Sequence, residues 1–180
     1  MEADSNTTIT QPLTVSQVVA KLEDVRRQWD ELLLRIGEER RTEPGATGNW
    51  SVKDVVAHIT LYEKWTLERL QERAQGIAYS PENDDPETDG MDMDTRNDYY
   101  YKRDSARGLA DILTESKRVH AELVQLVRNM SEEELHTPLR LTDTVSYNVI
   151  ETLEGNGYEH YEDHIRELEA WLQKSPASQE

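Results

Sequence analysis

The sequence predicts an all-α protein built as a four-helix bundle, and three observations support this prediction. First, apolar residues recur at intervals of three and four along four long stretches, which is the spacing of one helix face. Second, a hydrophobic fraction of 36% accompanies a charged fraction of 32%, as in amphipathic helices with solvated outer faces. Third, Thr14, Ser51 and Ser131 are each followed three residues later by Gln, Asp or Glu, a signature of helix starts.

The first two long helices are predicted over residues 14–37 and 51–75. Each contains valine, leucine, isoleucine or tryptophan at helical spacing and is followed at once by a glycine, Gly37 or Gly76, that can end it. The connection between them contains Pro44-Gly45, a pair that is typical of turns.

The second half of the chain is predicted to hold two more long helices, over residues 105–129 and 144–173. A short helix over residues 97–104 precedes the third, and Pro138 ends a brief helical turn before the fourth. Residues 80–94 are rich in Asp, Glu, Pro and Gly and are predicted to form a loop. They lack the Asp-x-Asp-x-Asp-Gly order of a calcium loop, so we assign them no ligands.

A single domain is predicted over residues 13–173, because a chain of 180 residues is long enough to bury one core. Residues 1–12 and 174–180 are predicted to be disordered tails. The chain has no basic, apolar leader and no apolar stretch of membrane-spanning length. We therefore expect a soluble, cytoplasmic protein with no membrane partner.

Charge and cysteine content restrict the classes of function. The formal net charge of −17 would repel a phosphate backbone, so we expect no nucleic acid partner. The absence of cysteine excludes disulfides, thiolate metal sites and a cysteine nucleophile, and it agrees with a reducing compartment. Any metal ion must be held by nitrogen and oxygen ligands.

His160 and His164 lie one helical turn apart in the predicted fourth helix. Residues at this spacing point the same way, so two neutral imidazoles can reach one metal ion. Burying two imidazoles together is costly unless a cation satisfies a lone pair on each. Spacing alone leaves metal ligation and a hydrogen-bonded core pair both open. Steps of three and four from the pair meet Val149, Leu153, Gly157, Leu168 and Trp171.

His58 is the best candidate for a third ligand. It shares a helical stripe with Val55, Tyr62 and Trp65 on the predicted second helix. A di-iron carboxylate site would require Glu-x-x-His motifs, but no acid stands three residues before any of the three histidines. A single divalent ion is therefore favoured, with zinc or nickel best suited to imidazole.

Two segments resemble a known family. Asn-Trp-Ser-Val-Lys-Asp-Val-Val-Ala-His-Ile, which ends at Ile59, and His160-Tyr-x-x-His164 are similar to motifs of the DinB-like superfamily, which includes YfiT-type proteins and the ClbS/DfsB group. The resemblance covers roughly residues 14 to 172. It implies a four-helix bundle of the DinB/YfiT type around a divalent metal held by three histidines, here His58, His160 and His164. It also implies a homodimer.

The resemblance implies a metal-dependent enzyme that acts on a small-molecule substrate. Members of the superfamily include thiol-dependent transferases and isomerases, with a low-molecular-weight thiol as partner, and a resistance branch that hydrolyses a reactive small molecule. Three histidines leave coordination positions open for water or substrate, as such chemistry requires. The alternative is a non-catalytic bundle that binds a metal or dimerises, with a stress-related role. The sequence identifies no catalytic residue beyond the ligands.

Other residues are candidates for a pocket beside the metal. Trp50, Tyr62 and Trp65 lie close to His58 in the sequence, and Gly157 lies one turn before His160. Core packing is the alternative for the three aromatic residues, and close helix approach is the alternative for the glycine. We interpret the remaining histidines, His120 and His136, as structural or surface residues because neither has a partner at ligand spacing.

Overall fold

The computed structural model describes residues 12–78, 85–141 and 146–174, and it is mostly helical. Four long helices account for most of it, and shorter helices and one β-hairpin connect them. The helices are α1 (Val15–Ile36), α2 (Val52–Ala74), α3 (Met93–Asp104), α4 (Leu109–Arg128), α5 (Glu132–Leu135), α6 (Val149–Leu153) and α7 (Glu159–Lys174). The strands are β1 (Pro138–Leu141) and β2 (Ser146–Asn148), which pair antiparallel.

Reciprocal capping fixes the start of three helices. The Thr14, Ser51 and Ser131 side chains each accept a hydrogen bond from the backbone N–H three residues later. In return, the side chain of that later residue accepts a hydrogen bond from the backbone N–H of the capping residue. These capping boxes are the ones that the sequence predicts, and each satisfies backbone donors that no helical partner can reach. The bounds of α1 and α2 accordingly differ from the prediction by one residue at each end.

The core is formed by one apolar face of each long helix. Helix α1 contacts both α4 and α7, and α2 contacts α4 most extensively. Trp29 of α1 is fully buried, and its ring packs edge-on against that of Tyr161 of α7 with 5.5 Å between centroids. This pair joins the first long helix to the helix that carries two of the three candidate ligands.

The prediction of the fourth helix is wrong at the beginning of that helix. Within residues 144–173, the first described residues form β2 rather than helix, and α6 begins only at Val149. The Asn148 side chain and Glu151 form a capping box there. Pairing with β1 places residues 146–148 in an extended conformation, so tertiary context overrides the helical pattern.

A π-helical segment over Glu154–Tyr158 interrupts the last helix between α6 and α7. Within it Gly157 has φ −113° and ψ −112°, which lie outside the helical region. After the interruption the fully buried positions are Tyr161 and Leu168 rather than the histidines, which are half-buried. Tyr161 therefore takes the core position that the sequence predicts for His160, whereas Leu168 belongs to the core in both the prediction and the structure.

Helix α3 begins at Met93, four residues before the predicted short helix. Asp92 caps it by accepting a hydrogen bond from the Thr95 backbone N–H at 2.8 Å. The later part of the predicted loop also contains a 3₁₀ turn at Pro86–Thr88, whereas residues 79–84 lie outside the described residues. Proline at the first position of this turn is compatible with helical geometry.

The predicted tails fall almost entirely outside the described residues, at 1–11 and 175–180. The predicted domain bounds of 13 and 173 therefore stay predictions. In the parts of the chain that the structure describes, no helix is both long and apolar enough to cross a membrane.

Candidate metal centre

Helices α2 and α7 bring His58, His160 and His164 together. One ring nitrogen of each histidine lies within 4.8 Å of one nitrogen of the other two. His58 Nε2 and His160 Nε2 are 3.0 Å apart, a separation that two ligands of one ion can span when each metal–nitrogen bond is about 2.0–2.1 Å. Within the described residues, this is the one group of three or more potential metal-ligating side chains that lie this close together.

The local structure of both helices holds the three rings in place. One turn of α7 separates His160 from His164, so their ring centroids lie 5.0 Å apart. The amide of Asn156, in the π-helical segment, donates to Thr66 Oγ1 of α2 at 3.2 Å and ties the start of α7 to that helix. The His58 ring centroid consequently lies 4.8 Å from that of His160 and 5.2 Å from that of His164.

The electrostatic environment keeps the imidazoles of His58 and His160 neutral. Burial, together with the nearby His160 and His164, lowers the pKa of His58 to about 3. Burial and the His164 charge lower the pKa of His160 to about 4, and Asp163 opposes that shift. Both rings are therefore neutral near pH 7, which is the form that binds metal ions.

The outer nitrogens of the histidines have different environments. Nδ1 of His164 donates to Glu167 Oε2 at 2.9 Å, which leaves Nε2 available as a ligand. Glu167 also accepts from Thr47 Oγ1 at 3.3 Å. By contrast, Nδ1 of His160 is buried and has no hydrogen-bond partner among the described residues. Among the described residues, hydrogen bonding therefore positions the His160 ring only through Nε2, at 3.0 Å from His58 Nε2, and a metal at the cluster would fix the ring through the same nitrogen.

The donor set fits a single divalent ion. Three imidazole nitrogens form the cluster, and they suit zinc, nickel and other late first-row metals. The fully buried acid of α2, Glu63, is bound by His120 Nδ1 at 2.7 Å and by the Tyr161 hydroxyl at 3.0 Å. It is therefore held by other partners instead of joining the cluster, in agreement with the absence of a di-iron motif.

Aromatic side chains surround the cluster on the side of α3. The Tyr62 ring lies 4.9 Å from that of His58 and 5.0 Å from that of His160, and Trp50 lies 5.2 Å from His58. Trp50 also stacks on Tyr101 of α3 at 5.5 Å. A small cavity beside His58 opens to solvent and has room for about one water molecule. It is lined by Trp50, Asp54, Ala57, His58, Leu61, Tyr100, Tyr101 and Asp104.

Two of the four suggested pocket residues have other neighbours. The Trp65 ring packs against Tyr62 and Tyr100, at 5.0 and 5.1 Å, so it reaches the histidines only through Tyr62. A Cβ added to Gly157 would lie 3.0 Å from Leu22 Cδ2 of α1. This close approach supports the packing interpretation of Gly157, and its role in a pocket stays a prediction.

His120 and His136 lie away from the cluster. His120 is buried and binds Glu63, while Nε2 of His136 donates to the Leu13 carbonyl oxygen at 3.0 Å. Sequence reasoning missed Glu63, Glu167 and the aromatic residues of α3. Helical spacing could have revealed Glu167, which lies three residues after His164, but no local signal indicates which face of α3 meets α2.

The helices and the three-histidine cluster define a class of helical protein that can hold one metal ion. The chain belongs to the DinB superfamily, whose family model matches residues 21–168. This confirms the family to which the two motifs point. No curated protein sequence matches the chain.

Solved structures share the fold at low sequence identity. The colibactin self-resistance protein ClbS, in complex with a double-stranded DNA, has a TM-score of 0.76 at 16% identity, over 93% of this chain and 100% of ClbS. DfsB, described as a sibling lethal factor precursor, has a TM-score of 0.71 at 9% identity, over 92% and 99%. An uncharacterised protein from Escherichia coli UTI89 has a TM-score of 0.73 at 16% identity, over 93% and 98%.

The ClbS complex overturns one expectation from the sequence. We expected no nucleic acid partner because the chain is strongly acidic, yet a protein of the same fold has been solved with duplex DNA bound. Net charge describes the average surface, whereas a bound duplex contacts only part of a protein. The charge of −17 therefore cannot exclude this class of partner.

Proposed function

We propose that this protein is a metal-dependent enzyme that acts on a reactive small molecule, either as a thiol-dependent transferase or as a hydrolase. The observation that carries the proposal is the cluster of His58, His160 and His164, whose ligand nitrogens lie within 4.8 Å beside an aromatic-lined cavity. Zinc or nickel is the proposed ion. Three protein ligands leave a coordination position for water, a thiol or substrate, as in catalytic rather than structural sites.

The three histidines would hold the ion, and the aromatic residues would shape the space beside it. Bound there, a divalent ion supplies a Lewis acid that lowers the pKa of a water or thiol ligand. Burial raises the pKa of Tyr62, so its hydroxyl keeps its proton and can donate it in a hydrogen bond. That hydroxyl now donates to Asn97 Oδ1 at 2.9 Å. Trp50 and Tyr101 form an apolar wall that limits water beside His58.

The finer architecture is part of the same proposal. We take α1, α2, α4 and α7 as the four helices of a DinB/YfiT-type bundle within a single domain of residues 13–173, and we propose that two such chains form a homodimer. Contacts of α1 with α4 and α7, and of α2 with α4 and α7, support the bundle. Sedimentation at micromolar concentration tests the dimer, and a monomer there would contradict it.

Two other functions compete with catalysis. A metal could be bound without turnover, which leaves a non-catalytic protein with a stress-related role. Duplex DNA is a second candidate partner, favoured by its presence in the ClbS structure. Fluorescence anisotropy with a labelled duplex at low and physiological salt tests the DNA alternative, because phosphate contacts weaken as salt rises.

Turnover of a thiol and an electrophile by metal-loaded protein is the direct test of the enzyme proposal. Purified protein would be stripped with a chelator, reloaded with zinc or nickel, and assayed for consumption of a panel of aryl halides and epoxides with and without glutathione. We expect activity that requires the metal and is lost in His160→Ala, whereas His136→Ala keeps it. Metal binding without any turnover across the panel would favour the non-catalytic alternative.

A further inference from the structure

One buried side-chain atom of Arg96, on α3, has no hydrogen-bond acceptor. Its Nε is inaccessible to solvent and has no hydrogen-bond partner among residues 12–78, 85–141 and 146–174. The chain has 37 acidic and 20 basic residues, so acidic partners are abundant. The other basic residues of α3 are paired, Lys102 with Asp98 at 2.5 Å and Arg103 with Asp104 at 2.9 Å. Arg96 is thus an exception on its own helix.

Asp92, the acidic residue one helical turn from Arg96, has another hydrogen-bond partner. Asp92 lies one turn earlier on α3, and its carboxylate accepts the hydrogen bond from the Thr95 backbone N–H that caps the helix. A buried guanidinium N–H without an acceptor has lost its hydration and gained no hydrogen bond in return, which destabilises the folded protein. An unpartnered buried group of this kind requires an explanation, and a ligand that supplies the acceptor is one.

Helical geometry places Arg96 over the aromatic residues beside the histidines. Met93 lies three residues before Arg96 and Tyr100 four residues after it, so the three side chains share one face of α3. The Tyr62 hydroxyl lies 3.4 Å from Met93 Sδ, and the Tyr100 ring lies 5.1 Å from that of Trp65. This face of α3 therefore lies against Tyr62 and Trp65 of α2.

The same aromatic residues connect Arg96 to the candidate metal centre. The Tyr62 ring contacts His58 and His160 on one side and Trp65 on the other. The positive charge of Arg96 acts on the Tyr62 hydroxyl and opposes the rise in its pKa that burial causes. The Tyr62 side chain therefore lies between the Arg96 guanidinium and the histidine cluster.

We propose that Arg96 binds the anionic group of the small molecule that reacts at the histidine cluster, and that the apolar part of this molecule packs against Tyr62 and Trp65. The inference rests on the proposed function, which it deepens by naming the substrate class: a small carboxylate, or a similar planar anion, with an apolar body. A guanidinium presents fixed N–H donors that match the two oxygens of a carboxylate, and aromatic rings accept a flat apolar group at little entropic cost.

Benzoate and benzamide are matched probes for this site, because they have nearly the same shape and differ in charge. Zinc-loaded wild-type protein would be titrated with each by calorimetry, alongside Arg96→Gln and the control Arg103→Gln. Arg103 lies seven residues later on α3, pairs with Asp104 and stacks on Tyr100, so its substitution removes an equal charge from the same helix. We expect benzoate to bind more tightly than benzamide, and Arg96→Gln to weaken benzoate binding at least about tenfold, as loss of a charge-assisted hydrogen bond would.

The control should keep benzoate affinity within about twofold, since Arg103 has its own acid partner. A second variant, Arg96→Lys, keeps the charge but loses the fork of donors, and it should fall between wild type and Arg96→Gln. Circular dichroism melting would establish that each variant is folded. Equal binding of benzoate and benzamide, or equal benzoate affinity in wild type and Arg96→Gln, would overturn the inference.

The titration also separates this inference from the proposed function. Zinc content and benzoate affinity would be measured on the same samples. Normal zinc content with Arg96-independent benzoate binding would reject the anion site and leave the metal proposal intact. Absence of zinc in wild type, with benzoate binding that still depends on Arg96, would reject the metal proposal and leave the anion site intact.

Discussion

The Glu167 carboxylate accepts a hydrogen bond from Nδ1 of His164 at 2.9 Å and thereby leaves Nε2 as the nitrogen of that ring that can bind a metal together with His58 and His160. Carboxylates that orient a ligand histidine in this way raise its basicity. We expect Glu167→Gln to weaken zinc affinity about tenfold, at the low end of the usual range because Glu167 is half exposed. Competition with a chromogenic chelator would measure the change.

Glu162→Gln is the matched control for this prediction. Glu162 lies on the same helix and is exposed, so its substitution removes an equal charge without touching the cluster. If both variants lose affinity equally, the effect would come from general electrostatics, and the orienting role of Glu167 would be rejected.

Metal content should depend on three histidines and be independent of two. We expect His58→Ala, His160→Ala and His164→Ala each to lose most of the bound metal after purification without chelators, because two imidazoles hold a divalent ion much less tightly than three. Elemental analysis would measure this. His136→Ala should keep full occupancy, and so should any His120→Ala protein that remains folded. Equal metal loss in His136→Ala would contradict the assignment.

The buried Glu63–His120 contact should matter for stability rather than for metal binding. Glu63 is fully buried, and removing His120 would leave its carboxylate with only the Tyr161 hydroxyl as a partner. Removing the hydrogen-bond partner of a buried group in this way costs about 1–3 kcal/mol. We expect His120→Ala to lower the urea midpoint strongly, and Glu63→Gln with His120→Ala to recover part of the loss. An unchanged midpoint would show that the pair contributes nothing.

Stability of the metal-free protein should fall between pH 6.5 and 5. The pKa values of His58 and His160 are lowered to about 3 and about 4 in the folded state, whereas an unfolded histidine titrates near 6.5. The unfolded chain therefore binds more protons in this range, and the free energy of unfolding decreases as pH falls, by up to about 2 kcal/mol per histidine at pH 5. Thermal melts of chelator-treated protein at several pH values would test this. His58→Gln should reduce the dependence of stability on pH.

Alanine substitutions of two glycines in the last helix should have different effects on the stability of the protein. A Cβ at Gly157 would meet Leu22 Cδ2 at 3.0 Å, whereas a Cβ at exposed Gly155 would meet nothing within 4 Å. We expect Gly157→Ala to destabilise the protein by roughly 1–3 kcal/mol through overpacking. Gly155→Ala should be neutral or stabilise it by up to about 1 kcal/mol. Denaturant unfolding measures both, and destabilisation by both would indicate that the helix itself requires glycine.

The sequence predicted the parts of the fold that depend on local chemistry. Capping residues such as Thr14 and Ser51 define helix starts within one residue, because hydrogen bonding over three residues decides them. Strand β2 was missed because its residues were assigned to the helical pattern of the fourth helix, although its partner β1 ends only five residues earlier. The family and the grouping of three histidines followed from short motifs. Arg96 and Glu63 could not be assigned, since their roles depend on which helix faces meet.

The π-helical segment at Glu154–Tyr158 makes the arrangement of the three histidines sensitive to chain length. A π-turn contains one residue more than an α-turn, so a regular α-helix through the same residues would rotate everything after this segment by about 100°. His160 would then move toward the interior position that Tyr161 now holds, and its imidazole would turn away from His58. A relative whose last helix is regular would keep the convergence of the three histidines only with one residue fewer before His160, so alignments of this family need the spacing before His160 as well as the histidines themselves.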